Sequence, residues 1–138
     1  MKRLLVLVAL ACSTACQPSR PADAIIVSTD CLELEHYGVR TDGDEAIIGD
    51  IIVRDEDASC PSVKQIEIWL YEDADGNAEP SEAETLHYVN QEYVDHTRGA
   101  KYFETKHALE RSVSELRYRI RATNASGSAI ESSGLANE

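Results

Sequence analysis

An all-β, antiparallel two-sheet sandwich is the fold class this sequence predicts, and three observations predict it. About seven short runs with strand-type alternation of apolar and polar residues recur over residues 24–133. Turn-forming clusters such as Thr41-Asp42-Gly43-Asp44 and Asn124-Ala125-Ser126-Gly127 punctuate them. Two cysteines, Cys31 and Cys60, lie among those runs, as in a small stapled domain. The length of 138 residues allows one domain, and no repeat of solenoid period is present.

The chain opens with Lys2 and Arg3, followed by an apolar run of eight residues, 4–11. That is far short of the ~20 residues of a spanning helix and suits the core of a signal peptide. Cys12-Ser13-Thr14-Ala15-Cys16 then places small residues ahead of a cysteine. This resembles the processing site of bacterial lipoproteins, in which the cysteine becomes the acylated first residue. The resemblance implies a signal peptide at 1–15 and lipidation at Cys16. Cys12, behind Leu10-Ala11, is the alternative site. Ser13-Thr14-Ala15 also reads as an ordinary secretory cleavage site, which would give a periplasmic or secreted product. Residues 16–23 contain Pro18 and Pro21 without periodicity and read as a tether, ahead of a sandwich at 24–138. Gln17 stands where an Asp would retain a Gram-negative lipoprotein at the inner membrane, so the resemblance implies the outer membrane.

In an oxidising compartment Cys31 and Cys60 read as a disulfide. The loop it closes is about 30 residues long, worth about 3 kcal/mol in the loop-entropy model. A redox or nucleophilic thiol has less in its favour, because there is no CxxC and Cys60-Pro61 sits in a turn-like stretch.

The strands follow in order. Residues 24–28 are rich in β-branched side chains. Leu32, Leu34 and His36 alternate with Glu33, Glu35 and Tyr37. Residues 46–54 form one strand, with Ile47, Ile51 and Val53 on one face around Gly49. Residues 63–71 give the clearest alternation: Ile66, Ile68 and Leu70 point inward, and Glu67, Trp69 and Tyr71 outward. Residues 85–89 and 100–105 are weaker strands. In 107–116, Leu109, Val113 and Leu116 have helical spacing and predict a short helical turn at a sandwich edge. Leu116, Tyr118, Ile120 and Ala122 then point inward against Arg117, Arg119 and Arg121, and 128–133 return as a last strand.

The stretch Tyr118-Arg119-Ile120-Arg121-Ala122-Thr123-Asn124-Ala125-Ser126-Gly127-Ser128 resembles the F strand, turn and G strand of fibronectin type III domains. The resemblance implies that Tyr118 is a corner tyrosine, its ring in the core and its hydroxyl bonded to nearby backbone. It also implies that 63–71 is strand C, beside strand F. That family usually carries its core Trp on strand B and has no disulfide, whereas Trp69 lies on strand C. The class is therefore a fibronectin type III-like or immunoglobulin-like sandwich.

Function is bounded first by charge. Thirteen Lys plus Arg against 25 Asp plus Glu give a net charge of −12, and loss of Lys2 and Arg3 takes it to −14. Such a field repels phosphate backbones and excludes a nucleic-acid partner. The acidic stretch 71–84 offers oxygen ligands at the spacing of a twelve-residue calcium loop: Asp73, Asp75, Asn77, Glu79 through its carbonyl, Ser81 and Glu84. Ala78 stands where such a loop has glycine, and Pro80 removes a donor. The other reading of the stretch is a solvated hairpin loop of local side-chain turns. On the outer face, Trp69, Tyr71, Arg117, Arg119 and Arg121 form a candidate partner surface; the same residues also serve simply to keep a sheet face soluble.

Catalytic patterns are missing. His36, His87, His96 and His107 lack zinc-site spacing, and there is no GxSxG or glycine-rich phosphate loop. The sequence thus predicts a non-enzymatic cell-envelope lipoprotein whose single sandwich is a binding or structural module. It would hold the membrane through its lipid and meet an envelope or extracellular protein or a glycan. It requires no cofactor, with Ca²⁺ the one candidate. The alternatives are a calcium-binding surface domain using the 73–84 loop and, last, a small secreted hydrolase using carboxylates.

Overall fold

A computed structural model describes residues 24–55, 59–94 and 99–138. The expected signal peptide, Cys12, Cys16, the tether up to residue 23 and His96 lie outside the described residues. Among the described residues there are eleven strands: β1 (Ile25–Ser28), β2 (Leu32–His36), β3 (Val39–Asp42), β4 (Glu45–Ile48), β5 (Ile51–Asp55), β6 (Val63–Tyr71), β7 (Thr85–Glu92), β8 (Ala100–Tyr102), β9 (Thr105–Ala108), β10 (Arg117–Asn124) and β11 (Ala129–Leu135). Their pairings are all antiparallel. The protein is an all-β sandwich.

One layer has the order β11-β10-β6-β7. The expected neighbours 63–71 and 116–123 do pair, with Trp69 opposite Arg119 and Ile68 opposite Ile120. The second layer has the order β1-β2-β5-β8 and is continued by β3-β4-β9. The chain passes between these two sheets at residues 37–38, 49–50 and 103–104. Gly49 N–H donates to the Gly38 carbonyl at 3.1 Å across the crossing. The core lies between the layers, where Leu34, Ile48, Ile51 and Val53 meet Ile66, Ile68, Leu70, Ile120 and Ala122, all fully buried.

The crossing corrects the single strand expected at 46–54. A Cβ on Gly49 would stand 3.1 Å from the Cβ of Tyr37, so a residue without a side chain lets the two chains approach and bend. The two-residue break reverses the parity of the inward face. Ala46 and Ile48 enter the core before it, and Ile51 and Val53 after it. Ile47, expected inward with Ile51 and Val53, is absent from that core cluster.

The helical turn expected within 107–116 is also corrected: no helix is found among the described residues. Residues 105–108 pair with β4 instead, and Leu109 N–H continues the ladder to the Asp44 carbonyl at 2.7 Å. Leu109 and Leu116 are buried as separate anchors of a loop. Tyr118 is buried as expected, but its hydroxyl has no hydrogen-bond partner among the described residues. It lies against Gly134, where a Cβ would come within 3.0 Å of that oxygen.

The predicted disulfide joins Cys31 to Cys60, 29 residues apart in sequence, with Cα atoms 5.5 Å apart. The two polar residues buried whole among those described, Asn124 and His36, both have hydrogen-bond partners. Asn124 Oδ1 accepts the N–H of Ser126 at 3.1 Å and of Ser128 at 3.0 Å, which closes the turn between β10 and β11. His36, fully buried, spans the layers. Its Nδ1 accepts the Gly38 N–H at 3.0 Å. Nε2 must then carry the proton, and it donates to Ser132 Oγ on β11 at 2.8 Å. Burial pushes this imidazole down to about 4.

Candidate cation-binding loop and the adjoining outer face

β6 ends at Tyr71, and the chain returns to β7 through residues 72–84. This connection is built from short side-chain turns. Asp75 Oδ1 accepts the Asn77 N–H at 3.1 Å, and Asn77 Oδ1 the Glu79 N–H at 2.8 Å. Asp73 Oδ2 accepts the Ala78 N–H at 3.0 Å. Glu84 reaches back across the loop: Oε2 accepts the N–H of Ala74 at 2.8 Å and of Asp75 at 3.3 Å, and Oε1 takes the Ser81 hydroxyl at 2.9 Å. The Ser81 hydroxyl first, and these backbone donors after it, hold the Glu84 carboxyl below the usual carboxylate range. Ala78 adopts φ +60° and Gly76 +75°. Alanine thus makes the sharp turn for which a calcium loop normally uses glycine, at a cost in backbone strain.

Three of the carboxylates expected to hold a cation come together. Asp73, Asp75 and Glu84 each place a carboxylate oxygen within 4.8 Å of the others. The side chains of Asn77 and Ser81 make hydrogen bonds within the loop. The Glu79 carboxylate turns to Arg119 at 2.7 Å, and that guanidinium holds it below its ordinary range.

The loop folds over the outer face of β6 and β10, and this corrects one residue of the expected partner surface. Tyr71 has the outward register, opposite Arg117, yet it is only 1% exposed. It lies beneath the loop, its hydroxyl donating to the Ala78 carbonyl at 3.1 Å. Arg119 Nη2 donates to the same carbonyl at 3.2 Å.

The remaining outer-face residues pair with one another. Arg121 stacks over Trp69 at 5.1 Å and bonds Glu131 at 2.9 Å. Arg119 also faces Glu131 at 3.7 Å, and Arg117 faces Asp73 at 3.8 Å. Tyr88 is an addition from β7 that the weak alternation of 85–89 did not mark. Its ring lies 5.2 Å from Trp69, and its hydroxyl donates to Glu67. Burial, then that carboxylate, pushes the phenol up to about 12. An open groove of about 630 Å³ has Trp69, Tyr88, Pro80, Ser81 and Glu82 in its lining.

A second grouping went unseen in the sequence. His87 on β7 and His107 on β9 have ring centroids 4.1 Å apart, and His107 Nε2 is 3.2 Å from the Tyr102 hydroxyl. Burial, then the neighbouring His87, lowers the His107 imidazole. Residues 20 apart in sequence carry no local signal for such a pair.

No family model matches this chain, and neither does any curated protein. The residues themselves carry the functional argument.

Proposed function

We propose that this chain is a non-enzymatic lipoprotein of the cell envelope, acylated at Cys16, whose single sandwich is a binding or structural module outside the cytoplasm. The Cys31–Cys60 disulfide carries the reading. Such bonds form and persist in oxidising compartments, and this one follows a charged, apolar, small-residue N-terminus of the export type. The fibronectin type III-like likeness is supported by β6, β10 and β11 lying side by side, as strands C, F and G would. A non-catalytic role is supported by the carboxylates. Glu35, Glu79 and Glu84 are held below the ordinary range by Arg54, Arg119 and Ser81, the opposite of what a general acid needs at neutral pH. The guanidinium groups of Arg119 and Arg121 are engaged by Glu79, Glu131 and Trp69, and that of Arg117 reaches Glu115. A protein or glycan partner would therefore meet the aromatic edge formed by Trp69 and Tyr88 rather than free cations.

Mass spectrometry of the native protein tests this. We expect an N-terminal Cys16 carrying lipid, with no free thiol at Cys31 or Cys60, and release of the Cys16→Ala protein into the soluble fraction. A cytosolic chain that retains Met1 and both free thiols overturns export. A processed, unlipidated chain keeps export and removes the anchor.

A further inference from the structure

The loop at 73–84 contains a group that a purely structural connection does not need. The side chain of Asp73 is only 8% exposed. Its Oδ2 accepts the Ala78 N–H, but Oδ1 is buried and has no hydrogen-bond partner. Arg117 Nε stands 3.8 Å away from Oδ2, too far for a hydrogen bond, and is itself buried without an acceptor. A carboxylate oxygen withdrawn from water and left without a donor bears its full desolvation cost. The chain pairs that cost with a second one, since the carboxylates of Asp75 and Glu84 lie beside Asp73 and repel it.

We propose that Asp73, Asp75 and Glu84 bind one Ca²⁺ ion, with the partnerless oxygen of Asp73 as a ligand. Ca²⁺ holds oxygen atoms at 2.3–2.6 Å, so ligands of a single ion stand up to roughly 5 Å apart. The three carboxylates meet that limit, with one oxygen of each inside 4.8 Å of the others. The set contains no His or Cys and so disfavours zinc and copper. Mg²⁺ demands a tighter octahedron and sheds water reluctantly, so the site favours Ca²⁺ over it.

The ligands are set in place before any ion arrives. Glu84 is fixed by the N–H groups of Ala74, Asp75 and Ser81. One oxygen of Asp75 is turned by the Asn77 N–H. Ala78 is pinned from below by Tyr71 and Arg119. The side chains of Asn77 and Ser81 also brace the loop, through the Glu79 N–H and the Glu84 carboxylate.

Calorimetry on the full-length protein, stripped with chelator, tests the proposal with CaCl₂ and MgCl₂ as titrants. We expect one Ca²⁺ per chain with Kd on the order of 10⁻⁴–10⁻³ M, the range of extracellular modules, and Mg²⁺ at least tenfold weaker. Asp75→Asn, at an exposed position, is expected to weaken Ca²⁺ at least tenfold while circular dichroism shows the fold retained. Asp73→Asn should do the same, and it is read only if it folds. Glu82→Gln removes an exposed carboxylate from the same loop, outside the three, and should change affinity less than twofold. Absence of saturable heat up to about 10 mM Ca²⁺ overturns the site. Equal losses in D75N and E82Q overturn it too, because they indicate diffuse charge attraction.

Discussion

Lowering the pH from 7.5 to 4.5 should unfold this protein in part through a single ring, that of His36. The ring is fully buried between the layers and is neutral, since Nδ1 accepts from Gly38 and Nε2 donates to Ser132. Protonation would convert Nδ1 into a donor facing another donor. The imidazole accordingly sits at about 4, against 6.5 when exposed. Between these two values the unfolded chain binds a proton that the folded chain refuses. Stability from this source is complete above pH 6.5, falls as the pH drops toward 4, and is flat below. Each unit is worth ~1.4 kcal/mol, so the loss by pH 4.5 is about 2–3 kcal/mol, and nearer 2 if water relaxes in around the ring.

The carboxylates held low, Glu35, Glu79 and Glu84, act with the same sign, but their window opens only below about 4.5. The lowered His107 overlaps, and a His36→Asn comparison separates the two. Asparagine keeps an acceptor toward the Gly38 N–H and does not titrate. Guanidinium denaturation in chelator at intervals from pH 7.5 to 4.5 gives both stability curves. We expect the variant to be weaker at pH 7.5 and the gap to close by about 2 kcal/mol at pH 4.5. Two curves that fall in parallel would show that the acid sensitivity lies elsewhere.

Three further predictions concern the frame. Replacing Cys31 and Cys60 together by serine should lower stability by about 3–4 kcal/mol, from a closed loop of 29 residues. Reduced native protein should melt with that variant. Asn124→Ala leaves the N–H groups of Ser126 and Ser128 without their acceptor in the β10–β11 turn and should lose about 1–3 kcal/mol in chemical denaturation. Gly134→Val drives a side chain into the Tyr118 hydroxyl, already 3.0 Å from a bare Cβ position. It should lose about 1–3 kcal/mol, and Tyr118→Phe in the same chain should restore part of it, as read by melting temperature.

Residues 63–71 and 117–124 were legible because strict alternation marks a half-buried strand, and their pairing followed the resemblance. The disulfide was legible by counting. Alternation failed at 46–54, where Gly49 and Asp50 interrupt an apolar run without breaking it in composition, and the inward face changed parity across them. Helical spacing misled at 109–116, because three apolar residues at such intervals also anchor an irregular loop. In the candidate site, the ligand types were visible and their use was not. Which side chains come together depends on the path of the folded loop, which brings Glu84 back to Asp73 and Asp75. Tyr71 illustrates the general difficulty: its register was read correctly, and only the fold-back of the following loop buries it.

Strands β2 to β5 make up one long folded ribbon, reversing at Gly43 with φ +65°. Cys31 stands one residue ahead of it, and Cys60 follows it by five. The ribbon is thus fastened at both extremities, by a tight reversal at one and a covalent clasp at the other, and becomes a closed ring of chain. A protease that cuts at the exposed reversal would leave its two arms tied together. The scission would stay invisible on a gel until a reducing agent parts the halves.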